Sequence, residues 1–426
     1  MRKQNLGNLG IAALIGINLL LWLVFTPPPS AQYPQYALQI LGEILSSSAL
    51  ILFACALLLS NKPRVLEVYF GGLDKMYVTH KTIAILAVIL ITFHEMLIPK
   101  TGIAGPGTWL GILAFACILG VVMITIGPRM PVLSQITRFS YDGWRKIHRF
   151  MGLFFIFGFT HMLMVEPLLL HSPALTIYIC TISVIGILAY LYKEFIWGRL
   201  RPHSPHTVEA VRKLNGTTAE VVLKPQAGKL AYRAGQFLFV HFEGDKTLTE
   251  PHPFTISSAP HQDNLHLSIK ASGDWTGYLH ENLKPGSVAR VDGPYGLFDY
   301  KTGGPKQVWV AGGIGLTPFL SWLRGFDGPG TREIDFFYTL AVPAEALFLD
   351  EIEDAAKRNP AFHPHIHYTS QDGRLSVKKI GQAGGAVKDK DIYMCGPIGL
   401  VLAFRQAFIE DGVRPANIHY EEFNFR

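Results

Sequence analysis

Apolar positions are spread unevenly along the 426 residues. Over the first two hundred they run almost unbroken through six stretches, approximately 8–25, 37–60, 78–98, 109–127, 147–169 and 174–197. Each is close to the roughly 20 residues a helix needs to cross a hydrocarbon core. After Arg201-Pro202 the texture changes to short alternating runs, which predict strands, and then to strands alternating with helices. The pattern predicts a multidomain chain. A six-helix transmembrane bundle spans 1–201, an antiparallel β-barrel 202–303, and an α/β domain 304–426. Arg2 and Lys3 ahead of the first stretch imitate a signal peptide. That stretch is long for such a segment and five more follow, so it reads as an uncleaved first helix.

Composition agrees with this division. Hydrophobic residues make up 49% and charged residues 16%, with mean hydropathy +0.25. An average soluble chain carries roughly 25% charge, so a disordered chain is excluded and a wholly soluble one disfavoured. The net charge of +6 is local, because residues 1–201 hold 15 Lys/Arg against 7 Asp/Glu, and residues 202–426 hold 23 against 25. A basic membrane half suits a membrane surface rather than nucleic acid. Fourteen of those 15 basic residues lie in the N-terminus and in 61–81, 128–149 and 193–201, leaving Lys100 alone on the other side. The positive-inside rule then puts the N-terminus and everything after 198 in the cytoplasm, as a multi-pass protein of the plasma membrane. Cys55, Cys117, Cys180 and Cys395 form no disulfide framework, zinc spacing or CxxCH haem attachment.

Five histidines fall in the membrane half: His80, His94, His148, His161 and His171. His80 and His94 bracket the third span at a separation of 14 residues, and His148 and His161 bracket the fifth at 13. At 1.5 Å per residue each pair is separated by ~20 Å. Both spans run outward from the cytoplasm, so His80 is level with His148 on the inner side and His94 with His161 on the outer side. Two cross-helix pairs at two depths are what two stacked bis-imidazole haems require, and ionisable groups inside spans are rare and lean functional. A 14-residue interval nearly repeats a helix face but 13 does not. Unwinding or a bulge near Gly152 or Gly158 is therefore expected to bring His161 round. His171 reads as an interfacial residue. Glu95 and Glu166 either line an acceptor pocket or are solvated. Arg145, Lys146 and Arg149 serve haem propionates or only the positive-inside pattern.

In the soluble half the run Lys306–Val310 leads into Ala311-Gly312-Gly313-Ile314-Gly315-Leu316-Thr317-Pro318 and then a helix. Glycines let a backbone approach a pyrophosphate, and the helix start offers free N–H groups. A second strand ends in Tyr393-Met394-Cys395-Gly396-Pro397 and again opens a helix. Two such ends in one parallel sheet suggest a nucleotide lying across the sheet edge. His363, His365 and His367 would share one strand face; without a fourth ligand, a plain strand is preferred to a metal site.

These features together resemble the NADPH oxidase and ferric reductase superfamily over nearly the whole chain, and look closest to its compact bacterial members. The resemblance implies a haem domain with His80/His148 and His94/His161 as axial ligands, followed by a dehydrogenase of the ferredoxin–NADP reductase type. His252-Pro253-Phe254-Thr255 is similar to the family's flavin motif. By that likeness His252 and Thr255 contact the flavin or its phosphates, and Phe254 packs beside the ring. Lys270 and Thr276 match positions near the FAD pyrophosphate. Gly313, Gly315, Thr317 and Pro318 match the nicotinamide-nucleotide loop, and Cys395, Gly396 and Pro397 the turn near the nicotinamide. The C-terminal tail resembles one whose aromatic residue stacks on the isoalloxazine, Phe425 or, in another register, Phe423. The implied cofactors are FAD, two haem b and NADPH or NADH.

The implied activity passes electrons from cytoplasmic NAD(P)H to an acceptor across the membrane, with no obligatory protein partner. Dioxygen giving superoxide is the first acceptor. Ferric iron, or an extracytoplasmic partner protein fed by an electron-delivery module, is the alternative. Three positions depart from the family pattern. Ile98 stands where some oxygen-reducing members have a further His, and the short outer loop after the fifth span has no Arg. Ala341 occupies a position where NADPH-selective relatives carry Arg, for which Arg374 is a substitute.

Overall fold

The computed structural model describes residues 3–29, 33–100, 104–127, 141–197, 204–326, 328 and 330–421. The chain divides into two compact units, Met1–Arg201 and Pro202–Arg426.

The first unit is helical: α1 (Leu6–Phe25), α2 (Tyr36–Leu59), α3 (Arg64–Phe70), α4 (Leu73–Leu97), α5 (Pro106–Ile126), α6 (Tyr141–His148), α7 (Met151–Met164) and α8 (Pro173–Leu191). Prolines at the start of α5 and α8 suit a first turn whose N–H groups have no intrahelical partner. Six segments are long and apolar enough to span a membrane, α6 and α7 together forming the fifth. These are the six stretches that hydropathy marks. α2 is the central one, with 56% of its apolar window buried against at most 22% for any other. Polar side chains tie α1 to it: Asn18 Nδ2 donates to Ser47 Oγ (3.0 Å) and Ser48 Oγ (3.1 Å), and Trp22 Nε1 to Ser47 Oγ (3.2 Å). Such bonds glue helices where apolar packing alone gives no preference over lipid.

The fifth span is broken, at a different place from the one the sequence suggests. α6 ends at His148, Phe150 N–H bonds back to Ile147 O in a tight 3.0 Å turn, and α7 restarts at Met151. Gly152 plays another part. A Cβ there would lie 2.1 Å from the Tyr190 ring, so the glycine lets α8 pack close. Gly158 sits within regular helix.

The second unit opens with six antiparallel strands: β1 (Ser204–Lys213), β2 (Thr218–Pro225), β3 (Phe237–Phe242), β4 (His252–Thr255), β5 (Leu265–Lys270) and β6 (Val288–Tyr295). Their order is β4-β3-β6-β1-β2-β5. Ser257 N–H donating to His266 O at 2.8 Å nearly closes this sheet into a barrel. Alternate residues such as Val208, Val221, Leu238, Leu267 and Val291 fill its interior. α9 (Asp274–Asn282) follows β5.

The α/β part comprises β7 (Lys306–Gly312), α10 (Thr317–Arg324), β8 (Glu333–Leu340), α11 (Leu349–Arg358), β9 (Phe362–Tyr368), α12 (Thr369–Asp372), α13 (Val377–Gly384), β10 (Asp391–Cys395), α14 (Ile398–Glu410) and β11 (Ile418–Tyr420). All five strands are parallel, in the order β11-β10-β7-β8-β9. Near-continuous apolar strands suit a sheet covered on both faces. One face packs Trp309, Phe319, Trp322, Phe336 and Phe362, and the other Val308, Val310, Ile392, Met394 and Phe408. The strand order reverses between β7 and β10, which is where such sheets bind ligands beyond their carboxyl ends.

Candidate functional site

Three of the four span histidines are oriented by backbone carbonyls. His80 Nδ1 lies 3.0 Å from Ala56 O, His94 Nδ1 2.9 Å from Gly42 O, and His161 Nδ1 2.8 Å from Gly107 O. A carbonyl only accepts, so each Nδ1 carries the proton and each Nε2 keeps a lone pair, as metal-ligating imidazoles do. The carbonyls come from neighbouring helices: α2 serves both histidines of α4, and α5 serves α7. Gly111 makes room for His161, since a Cβ there would sit 2.6 Å from its Nδ1.

The His80 and His148 ring centres are 6.5 Å apart, with planes at 71°. Two imidazoles bonded at roughly 2 Å to opposite sides of one metal ion would bring their centres to about 6 Å. His148 is the exception in its support. Its buried Nδ1 has no hydrogen-bond partner, and its ring stacks on Trp144 at 4.8 Å and 23°. Trp144 is itself held by donating Nε1–H to Thr125 Oγ1 at 2.8 Å. α2 packs along α4 and α5 along α7, while α4 and α7 share no extended contact among the described residues. Among the described residues no three His, Cys, Asp or Glu side chains gather for a bare metal ion. The opposed His80 and His148 rings are spaced to hold one metal ion between them.

The charged neighbours are engaged. Arg149 Nε donates to Glu194 at 2.8 Å, and Lys100 pairs with Glu95 at 2.6 Å. Tyr33 OH donates to Glu166 O at 3.0 Å and lies 3.3 Å from His171 Nε2. Glu43, which drew no attention in the sequence, is 3% exposed and accepts Leu168 N–H at 2.8 Å and Leu169 N–H at 2.7 Å. It anchors the segment after α7 to the helix whose Gly42 orients His94. Ile98 packs on that same Gly42.

In the second unit β4 pairs with β3, Phe254 opposite Leu238 and Thr255 opposite Phe237. The His252 ring stacks on the Trp275 indole at 4.1 Å and 28°, and Phe254 lies 5.8 Å from the same indole, nearly parallel. Trp275 Nε1 is buried without an acceptor, a feature that only the structure reveals. Together with the half-buried Pro253 and Phe254, this orphaned donor fits a flat polar ring such as flavin. Thr276 Oγ1 accepts the N–H groups of Ser272 and Gly273, both at 3.0 Å, and so shapes the start of α9, where free amides suit a phosphate. Lys270 Nζ lies 3.9 Å from Glu345, whose carboxylate also accepts Ala341 N–H at 3.2 Å. A carboxylate thus occupies the turn after β8, and Arg374 is exposed.

The two glycine-rich strand ends meet at the switch point. Gly313 has φ +54°, and a Cβ on Gly315 would fall 2.3 Å from Cys395 O, so only glycine fits there. A Cβ on Gly396 would lie 3.1 Å from Gly312 Cα, a tight but less severe approach. Thr317 and Pro318 open α10, and Pro397 precedes α14. Cys395 is 2% exposed. Burial and the nearby Glu421 carboxylate push its thiol up. Phe425 and Phe423 lie outside the described residues. Glu421, the last described, sits buried against Gly296 at the exit of β6.

Three families match successive parts of the chain: a ferric reductase like transmembrane component over residues 45–159, an FAD-binding domain over 205–299, and an oxidoreductase NAD-binding domain over 309–406. The chain has the domain architecture of the NADPH oxidase and ferric reductase superfamily. It is a multi-pass membrane protein with FAD- and NAD-binding domains. Similar proteins outside this architecture include the flavohemoprotein of Chromobacterium violaceum, 27% identical over 48% of this chain and 56% of that one. The flavohemoprotein of Bacillus subtilis is 26% identical over 57% and 65%. The glycine betaine monooxygenase reductase subunit of Chromohalobacter salexigens is 26% identical over 52% and 64%. The chain thus spans a little over half the length of these relatives. Among solved structures, a Malassezia yamatoensis flavohemoglobin matches at TM-score 0.52 and 16% identity, covering 92% of this chain and 97% of that one, which is a likeness of fold.

Proposed function

We propose that the chain passes electrons from cytoplasmic NAD(P)H, through FAD and two haem b, to dioxygen on the opposite side of the membrane, giving superoxide. The observation that supports this reading is the set of span histidines on facing helices, His80 opposite His148, with the Nδ1–H groups of His80, His94 and His161 committed to helix carbonyls. Bound FAD supplies the exchange between two-electron and one-electron chemistry, and haem iron the relay across the bilayer. The protein's own part is holding and orienting. His80 with His148, and His94 with His161, present Nε2 from opposite helices at two depths. Each pair would hold one haem, which would supply one-electron transfer toward the acceptor.

On the soluble side the 313–318 loop and the Gly396 turn cradle the nucleotide at the switch point. His252, Pro253, Phe254 and Thr255 with Trp275 line the flavin strand, Lys270 and the Thr276 turn lie toward its phosphates, and the tail aromatic Phe425 covers the ring. Cys395, buried in the turn beside the nicotinamide, serves with Phe425 at the hydride-transfer site. The distribution of Lys and Arg supports a cytoplasmic N-terminus and second unit, with the six helices crossing the plasma membrane. A ferric reductase is the second reading, favoured by Ile98 and by the absence of Arg from the segment after α7.

The test is full-length protein in detergent, loaded with FAD and haem and given NADPH or NADH, reducing soluble cytochrome c. A signal abolished by superoxide dismutase supports dioxygen. A signal that persists moves the reading to direct reduction of iron, and no nucleotide oxidation with any acceptor overturns it.

A further inference from the structure

The nucleotide helix and the flavin strand are joined by a buried ionic hub that neither site accounts for. α10 begins at the glycine-rich loop and ends, eight residues on, at Arg324. The Arg324 side chain is 10% exposed. Its Nε and one terminal nitrogen grip both oxygens of Glu351 on α11 at 2.7 and 2.8 Å. That terminal nitrogen also donates to Glu220 of β2 at 3.1 Å, and the other donates to Ser257 O at 3.1 Å. The guanidinium lies 5.2 Å from the Phe348 ring centre. One turn earlier, Ser321 Oγ donates to Ser258 O at 2.6 Å, and Trp322 Nε1 to Ala234 O at 3.1 Å.

Ser257 and Ser258 are the exit of the flavin strand, two and three residues past Thr255. One end of α10 therefore carries the nucleotide loop while the other clamps the strand that carries His252–Thr255. Glu220 is 3% exposed and is shared with His266 Nδ1 at 3.0 Å. Burial alone would raise its carboxyl, but His266 and Arg324 together hold it down at about 2, so the charge persists throughout the physiological range. Buried ion groups of this kind seldom repay their desolvation as stability; what they fix is one relative arrangement of the elements they join. The guanidinium fork suits that task because its donors point in set directions, which an ammonium cannot reproduce.

We propose that Arg324, with Glu220 and Glu351, is a positioning device that sets the register between the nicotinamide site and the flavin site, and hence the rate of hydride transfer. It rests on the reading of the second unit as an NAD(P)H-oxidising flavoprotein. A displacement of a fraction of an ångström between reacting groups costs rate rather than affinity.

The test uses FAD-loaded, full-length protein in detergent and ferricyanide as acceptor, which draws electrons from flavin without the haems. Arg324→Gln is expected to lower kcat for NAD(P)H oxidation by about tenfold or more with KM little changed. It also raises the isotope effect seen with C4-deuterated nucleotide, while FAD content stays at one per chain. Arg324→Lys restores only part of kcat. Glu351→Gln, whose side chain is 40% exposed and tolerant of change, moves kcat and the isotope effect the same way by less. Wild-type kcat and isotope effect in Arg324→Gln overturn the proposal. So does a loss that merely tracks lost FAD. If Arg324→Gln does not fold, Glu351→Gln decides by the same two readouts. Wild-type protein that oxidises neither nucleotide in ferricyanide rejects the functional reading itself, a result distinct from an unaffected variant.

Discussion

Two groups of histidines stand in opposite relation to their surroundings. His363, His365 and His367 alternate along β9 at the edge of the parallel sheet, opposite Asp335, Phe337 and Thr339 of β8. His363 is exposed, and the other two are taken up locally. His365 stacks flat on Phe337 at 4.5 Å with its Nε2 3.8 Å from Asp335, and His367 Nε2 lies 2.8 Å from Gly373 O. His80, His94 and His161 commit Nδ1 to a carbonyl and keep Nε2. Three histidines two residues apart share a face and converge on nothing, whereas histidines separated by dozens of residues on different helices oppose one another. What marks a ligand is the direction imposed on the second nitrogen, not closeness in sequence.

The largest effect expected from this contrast is in haem content. His94→Ala or His161→Ala should leave one haem per chain instead of two by pyridine haemochrome assay. The double variant should lose no more than either single one, because both ligands serve one iron. His365→Ala and His367→Ala should keep both haems. Two haems in His94→Ala would erase the distinction.

A smaller effect tests orientation rather than ligation. Gly111→Ala places a Cβ 2.6 Å from His161 Nδ1, whereas Gly120→Ala on the same helix meets nothing within 4 Å. The first should broaden or shift the low-spin electron paramagnetic resonance signal of one haem and lower its occupancy. The second should match wild type. Smaller again is Trp144→Leu. It removes the stack under His148, the span histidine whose Nδ1 meets no carbonyl, and, if His148 holds haem as proposed, should move the reduction potential of a single haem while both are retained. Equal shifts at both haems would show that Trp144 does not act through His148.

Much of the architecture is legible in the sequence because it depends on patterns with a fixed period. Six apolar spans, alternating barrel strands and two glycine-rich strand ends all appear in the folded chain. Gly315 against Cys395 O is the backbone contact that those glycines imply. Other features leave no trace in residue identity. The carbonyls that orient His80, His94 and His161 belong to Ala56, Gly42 and Gly107, and any residue supplies a carbonyl. The break at Arg149–Phe150 contains no proline or glycine, so the sequence pointed instead to Gly152 and Gly158. Arg324 and Glu220 are 104 positions apart, and only the closing of the barrel against the nucleotide helix brings them together.

His266 supplies a third kind of environment, and with it the smallest effect. Its Nδ1 faces Glu220 Oε1 at 3.0 Å, so it is held by a carboxylate rather than a carbonyl or a stacked ring. Burial pushes the Glu220 carboxyl up, but His266 and Arg324 outweigh this and bring it from 4.5 to about 2. A carboxyl whose folded value is depressed contributes stability that is fully present above its unfolded value. That contribution is lost as pH falls from about 4.5 toward about 2. His266→Gln removes the first of the two lowering partners, so the loss should set in at higher pH. The acid unfolding midpoint of the second unit, followed by tryptophan fluorescence in the full-length protein, should rise by a fraction of a pH unit, with little change at neutral pH. An unchanged midpoint would mean that Arg324 alone holds the Glu220 charge and that His266 is passive packing, like His365 against Phe337.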